Sequence, residues 1–390
     1  MTVIPLSLTD EQRALRDGVN DICKRYPGEY WRDLDSRREY PEKFVNELTQ
    51  AGYLACLIPP EYGGAGLSVA DGCMILETIH ANGGSASACH AQMYIMGTVL
   101  RHGSEAQKTK YLPKIATGEL RLQAFGVTEP DAGSDTTQLK TTAVRKGDRY
   151  LVNGQKVFIS RAEHSDLLLL LVRTTPVEEV KKRSDGLSVL LVDLRQAVGH
   201  GITIRPIRTM MNHATTELFI ENLEVPAGNL VGQEGRGFTY ILDGLNAERI
   251  LIAAECVGDG RWFIDRSSRY ATERVVFGRP IGQNQGVQFP IAAAHIRIEA
   301  ADLMRIRAAQ LFDDGKPCGP EANMAKYLAA DASWEAANVA LQTFGGFGFA
   351  EEYDIERKFR ETRLYQVAPV STNLILSYVA ERVLGLPRSY

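Results

Sequence analysis

The apolar residues of this chain repeat with one period, then a second, then the first again, and this ordering restricts the fold more than any other feature. Over about residues 1–120 the spacing is helical. Thr9 with Gln12 forms a capping box that opens a first helix. Val45, Leu48, Ala51 and Leu54 share one helical face. Pro59–Gly66 is rich in Pro and Gly and reads as a loop. Ala70–His80, Ala86–Leu100 and Glu105–Ile115 read as further helices, with a helix end at Leu100–Gly103. Over about 121–232 the period shortens to that of a strand. Arg149–Ile159 (RYLVNGQKVFI) centres Asn153-Gly154 between alternating apolar positions, which predicts a hairpin turn there. Leu167–Val172, Leu187–Asp193, Ile202–Arg205 and Glu217–Val225 are the other predicted strands. Over 233–390 helical spacing returns in Phe238–Ala271, Val287–Asp314, Pro320–Gly345 and Ser371–Leu384, which predicts an antiparallel bundle.

The ordering implies a mostly α chain with a central β-domain: an N-terminal helical domain over 1–120, a sheet domain over 121–232 and a C-terminal four-helix bundle over 233–390. Cofactors often sit at such domain junctions. Of the 390 residues, 24% are charged and 44% apolar, which excludes a collagen, low-complexity or disordered chain. The 44 Lys and Arg nearly balance the 48 Asp and Glu, and no basic stripe is visible. That excludes a global drive toward nucleic acid or acidic membranes. The six cysteines form no CxxC pair, so neither a metal site nor a disulfide framework is predicted, and reduced thiols in a cytoplasmic compartment fit. The first residues, MTVIPLSLTDEQRAL, lack a charged segment followed by an apolar one, so no signal peptide is predicted. Leu167–Val172 is too short to cross a bilayer.

Phe125–Asp135 reads FGVTEPDAGSD. By residue type it is a strand running into a turn rich in N–H and hydroxyl donors, which suits either an anionic or polar ring edge or a plain capped turn. The full string, followed by NGQKVFIS at 153–160, resembles the flavin-binding signature of the acyl-CoA dehydrogenase family. RVVFGRPIGQNQ at 274–285, QTFGGFGF at 342–349 and LYQVAPVSTN at 364–373 carry the resemblance along essentially the whole chain. It implies a helix–barrel–helix plan, so that the middle domain is expected to be a β-barrel. It also implies FAD as cofactor, an acyl-CoA substrate, an electron-transfer flavoprotein as acceptor, and a homo-oligomer, a dimer or a dimer of dimers.

The resemblance places Phe125, Val127, Thr128, Phe158, Ile159 and Ser160 along the flavin, with Thr128 and Ser160 near N5. Phe158 stands where many relatives carry Trp and would cover one face of the ring; it could equally be a core residue of the hairpin. Arg274, Phe277 and Gln285 resemble residues that reach a partner's flavin, the guanidinium meeting the pyrophosphate. Gln342, Gly345 and Gly346 match the segment at the ADP half, and Ser371 and Asn373 positions near the adenosine. Ser134 matches a contact to the pantetheine arm, and Asn246 and Arg249 match positions near the acyl-CoA. Ala86–Leu100, with Cys89, His90, Gln92, Met93, Tyr94 and Met96, either floors the acyl cavity or simply packs.

The chemistry implied is loss of an α-proton to a base and of the β-hydrogen as hydride to flavin. Many relatives carry the base as a glutamate just before the last helix. Here Val367-Ala368-Pro369-Val370-Ser371 stands there, and aligned without gaps Pro369 takes the glutamate's place. Proline neither accepts a proton nor offers an N–H to the thioester oxygen, a donor that Val370 could supply instead. A minority of relatives, the isovaleryl-CoA dehydrogenase type among them, carry the base in a Leu-x-x-Glu-Arg string. Leu245-Asn246-Ala247-Glu248-Arg249 matches it, making Glu248 the candidate base rather than a surface partner of Arg249. The implied reaction is dehydrogenation to a trans-2-enoyl-CoA. A flavin monooxygenase on the same scaffold and a non-catalytic flavin or acyl-CoA binder are the alternatives.

Overall fold

A computed structural model describes residues 8–388. The N-terminal stretch read above for a signal peptide therefore lies in part outside the described residues. The first helical stretch contains α1 (Asp10–Lys24), α2 (Gly28–Arg37), α3 (Glu42–Gln50), α4 (Val69–Ala81), α5 (Ala91–His102) and α6 (Glu105–Ala116). Thr9 and Gln12 form the predicted capping box, and Ser68 with Asp71 and Ser104 with Gln107 form two more. The strands are β1 (Leu122–Gly126), β2 (Thr142–Lys146), β3 (Arg149–Ser160), β4 (Leu167–Arg173), β5 (Leu187–Asp193), β6 (Ile202–Pro206), β7 (Thr215–Pro226) and β8 (Leu230–Val231), with a one-turn α7 at Leu194–Ala197. The last stretch holds α8 (Gly237–Glu273), a small ribbon of β9 (Val275–Val276) and β10 (Arg279–Pro280), then α9 (Gln285–Asp313), α10 (Gly319–Phe344), α11 (Ile355–Thr362) and α12 (Thr372–Tyr378). Three of the four predicted long helices are thus long. The fourth shortens to α12 and a π-turn at Val379–Val383, and α11 fills part of the stretch left unassigned.

These elements gather into two units that do not follow chain order. Of the described residues, one holds 8–39, 68–86 and 246–388, and the other 40–67 and 87–245. In the second unit eight strands form one sheet in the order β6-β7-β3-β2-β4-β5-β8, with β1 beside β4. Among the described residues no ladder joins β6 to β8, so closure of the expected barrel is not shown. Leu168, Leu170, Val172, Leu190, Leu218 and Ile220 fill its core. The near-continuous Leu run of β4 is buried throughout, as a strand covered on both faces requires.

The predicted hairpin at Asn153-Gly154 is corrected by the structure. Both residues lie inside β3, and the turn is Gly147-Asp148, joining β2 to β3. Gly147 supplies the positive φ, 63°, that such a two-residue turn needs. Gly154 is required for a different reason. A Cβ there would lie 2.7 Å from the Cα of Thr141. It marks a register shift in the β3–β7 ladder, and the Asn153 Oδ1 accepts the Asn222 N–H at 2.7 Å.

In the first unit α9 and α10 pack along each other, and α4 and α11 join them. Two ion networks, the first half-buried and the second buried, tie its distant segments. Arg261 reaches Glu77, Glu299 and Asp302, the last at 2.8 Å. His80 Nδ1 meets Asp259 at 2.8 Å, and Lys358 meets the same carboxylate at 2.5 Å. The Ala86 N–H donates to His80 Nε2 at 3.0 Å, which fixes the ring with its proton on Nδ1. All six cysteines are free and buried.

Candidate active site

The sheet unit brings the two flavin-type strings together. Phe125 is the second-to-last residue of β1, Val127 and Thr128 follow the strand, and the Val157 N–H of β3 donates to the Thr128 carbonyl at 2.9 Å. Behind this contact stands a buried ion pair that sequence reasoning missed. Lys156 Nζ donates to Glu129 Oε1 at 2.8 Å and to the Val127 carbonyl at 3.0 Å. Glu129 also accepts the N–H groups of Lys140 and Thr141 at 2.6 and 3.0 Å. Burial pushes the Glu129 carboxyl up, but Lys156 and those amides outweigh it and hold it below the usual carboxylate range. Burial pushes Lys156 down to about 8 against the pull of Glu129. The signal was present, since Glu129 and Lys156 lie in the two quoted strings, but nothing in either string says that they pair.

Phe158 is 63% exposed with φ of 58°, at a second register shift of the β3–β7 ladder. The shift turns the ring out of the sheet. The hairpin-core reading of Phe158 therefore fails, while the neighbouring Ile159 side chain is buried. Ser160 ends β3 half-buried, and Ser134 is exposed on the turn after β1. In the helix read as a possible cavity floor, Gln92 is a structural bridge. Its Nε2 donates to the Leu54 carbonyl at 3.4 Å, and its Oε1 accepts the Leu122 N–H at 3.4 Å.

In the other unit, Asn246, Glu248 and Arg249 lie on α8. Glu248 is 5% exposed. Arg249 donates to Asn246 Oδ1 at 3.1 Å, while its Nε is buried without a hydrogen-bond partner among the described residues. Burial lowers the Arg249 pKa, opposed first by the Glu248 carboxylate. In the tail, the Ala368–Pro369 peptide is cis and Val370 has φ of 59°. Within this unit the Val370 N–H donates to no described acceptor. Its carbonyl, with that of Tyr365, accepts from Lys326 of α10. Lys326 is a second missed residue, because one lysine in an alanine-rich helix has no distinguishing spacing. Ser371 caps α12 through the Leu374 N–H at 3.4 Å, and Asn373 is exposed in its first turn.

Phe277, at the tip of the β9–β10 ribbon, is fully exposed, and Gln285 begins α9 exposed. Arg274 lies 5.7 Å from the Phe347 ring centroid, beside the exposed Gly345 and Gly346 that follow α10. Gln342 is exposed on the last turn of that helix. The ribbon and the GGFGF segment are thus neighbours. Among the described residues no group of three His, Cys, Asp or Glu stands in position to hold a metal ion, and no helix is long and apolar enough to cross a membrane.

Comparison with known proteins covers nearly the whole chain. Residues 9–119 match the family description "Acyl-CoA dehydrogenase, N-terminal domain", 124–223 the middle domain and 235–384 the C-terminal domain. An acyl-CoA dehydrogenase of Mycobacterium bovis is 36% identical over 385 residues, 98% of each chain. A glutaryl-coenzyme A dehydrogenase solved with glutaryl-CoA is 32% identical, with a TM-score of 0.92 over 99% of this chain and 98% of that one. A chain from a study of the electron transferring flavoprotein of Acidaminococcus fermentans is 30% identical, with a TM-score of 0.90 over 98% of this chain and all of that one.

Proposed function

Because the chain belongs to the acyl-CoA dehydrogenase family, whose members are oxidoreductases, we propose that it converts an acyl-CoA thioester to the trans-2-enoyl-CoA, with FAD as cofactor and Glu248 as general base. The observation that carries the reading is the burial of Glu248. A glutamate that merely paired with Arg249 on a solvated helix face would be exposed, whereas this one is 5% exposed. Pro369, at the position of the usual tail base, has no group that accepts a proton.

The residues present fit the cofactor. An exposed Phe158 held out of its sheet by a left-handed backbone is an apolar face awaiting a ring. Phe125, Val127, Thr128, Ile159 and Ser160 would line that ring, Ile159 through its backbone. Arg274, Phe277, Gln285, Gln342, Gly345, Gly346, Ser371 and Asn373 would hold the remainder, the first three of them on a partner's FAD. FAD, when bound, supplies the two-electron acceptor for the hydride from the β-carbon.

The chain's own part is to bind and orient the thioester and to take one proton. Ser134, Asn246 and Arg249 would contact the acyl-CoA, and the unpartnered Arg249 Nε is a buried donor in need of an acceptor. The Val370 N–H would donate to the thioester oxygen and so acidify the α-carbon, and the Glu248 carboxylate would take the α-proton. The two electrons taken up by the FAD would leave to an electron-transfer flavoprotein, a reading supported by the kinship with the Acidaminococcus chain. A homo-oligomer in the cytoplasm completes the reading, supported by an apolar exposed face on α9.

Anaerobic titration of the yellow holoprotein with straight, branched and cyclic acyl-CoA esters tests this. At least one ester should bleach the flavin. Oxygen consumption by the reduced protein, with no bleaching by any thioester, would overturn the dehydrogenase in favour of a monooxygenase.

A further inference from the structure

Lys326 is fully buried on α10, and its ammonium holds two backbone carbonyls five residues apart: Tyr365 at 2.5 Å and Val370 at 3.0 Å. A buried ammonium is costly to desolvate and persists where its donors are used. Here it closes a loop. Tyr365 is anchored at its other end, where its hydroxyl donates to Glu255 at 2.9 Å, and Glu255 lies 3.6 Å from His80 Nε2. The far end of the loop, Val370, has φ of 59°, a backbone conformation that a β-branched residue rarely adopts unaided. Pro369 withdraws the N–H that would otherwise stand at that place, and the Val370 N–H comes next in the chain without an acceptor of its own.

We propose that Lys326 is a positioning residue for the thioester. By clamping the carbonyls of Tyr365 and Val370 it holds the left-handed turn at Val370 and aims that residue's N–H at the substrate carbonyl. The inference rests on the reading of Val370 as the thioester donor given above. The same lysine feels the charges of Arg249 and of Glu248, the proposed base, on α8. The clamp needs no proton transfer by Lys326 itself, which separates it from a second acid or base.

The test compares holoprotein of wild type, Lys326→Met and Lys326→Gln, the glutamine keeping N–H donors on a shorter stem. Hydrogen–deuterium exchange of residues 366–371 reads the clamp without any substrate. Exchange there should quicken at least tenfold in Lys326→Met and less in Lys326→Gln. Two ligands then read the aim: the acyl-CoA that bleaches wild type best, and the thioether of the same chain, which lacks the carbonyl. In Lys326→Met the bleaching rate should fall by about 30-fold and thioester affinity about tenfold, roughly the loss of one oxyanion donor, with thioether affinity unchanged within twofold. A folded, flavin-loaded Lys326→Met with exchange and bleaching within twofold of wild type would overturn the proposal, as would equal loss of thioester and thioether affinity. If neither variant folds, the wild type decides: residues 366–371 exchanging at the rate of an unstructured peptide would overturn the clamp. If no thioester bleaches wild type, the dehydrogenase reading fails while the exchange result still judges the clamp.

Discussion

A glutamate beside an arginine on a helix is ordinarily a surface pair, and the string Leu-x-x-Glu-Arg differs from that only in its context. Burial at 5% exposure is what separates Glu248 from the surface case. Replacing it by Gln keeps volume and hydrogen bonding and removes the proton acceptor. Glu248→Gln should retain FAD and lose flavin bleaching by about 10²- to 10⁴-fold, the range for a lost general base, in an anaerobic stopped-flow experiment. Lys326, by contrast, was not legible in the sequence, because an isolated lysine on an alanine-rich helix has the spacing of any solvated side chain. Its signature is electrostatic. Burial, opposed by the nearby Cys256, lowers its pKa from 10.5 to about 8. The unfolded chain therefore binds one more proton than the native chain between those two values, so this residue's contribution to stability rises with pH across that window. The difference in unfolding free energy between wild type and Lys326→Met should grow from pH 8 to pH 10 in favour of wild type, on the order of 2–3 kcal/mol. Urea unfolding at a series of pH values measures it, and a flat difference would contradict the shift.

Element types follow from period, and here the period identified most of the long elements but not α2, β2 or α11. The error at Asn153-Gly154 shows what period cannot say. Asn-Gly is the usual signal of a tight turn, yet Gly154 serves to let the backbone of Thr141 approach β3, a fact of tertiary packing invisible along the chain. The true turn, Gly147-Asp148, carried an equally good local signal. The pair Glu129–Lys156 belongs to the same scale, since it fastens the segment that follows β1 to β3. Removing one partner of a buried pair strands the other. Lys156→Met should therefore cost about 3 kcal/mol of stability in urea unfolding. Glu129→Gln combined with Lys156→Met should cost less than Lys156→Met alone, because the neutral amide tolerates the loss of the ammonium. A double variant no better than the single would mean that the pair acts through packing and not charge.

Chain order and spatial grouping diverge at the scale of the molecule. The α, β, α succession was legible, but α1, α2 and α4 belong to the unit of the C-terminal helices, and α3, α5 and α6 to that of the sheet. Nothing in a helical repeat names its partner; pairs such as His80–Asp259, which span 179 residues, decide it. One face is left over from this packing. On α9, Ala294, Ile298, Ala301 and Ala308 point into the unit, whereas Phe289, Ile296 and Leu303, seven residues apart, are 60%, 67% and 63% exposed. Ala293 and Ala300 fall between them and are exposed too, giving a continuous apolar seam with small residues that allow close helix approach. Solvated seams of this kind mark association surfaces. If the seam joins copies of this chain, Ile296→Glu with Leu303→Glu should lower the mass found by sedimentation velocity while leaving the helical circular dichroism intact, since neither residue is in the core. Because Arg274, Phe277 and Gln285 are proposed to reach a partner's cofactor, species reduced to monomers should also lose FAD on gel filtration, and species reduced only to dimers should keep it. An unchanged mass in the doubly charged variant would remove the seam from the assembly.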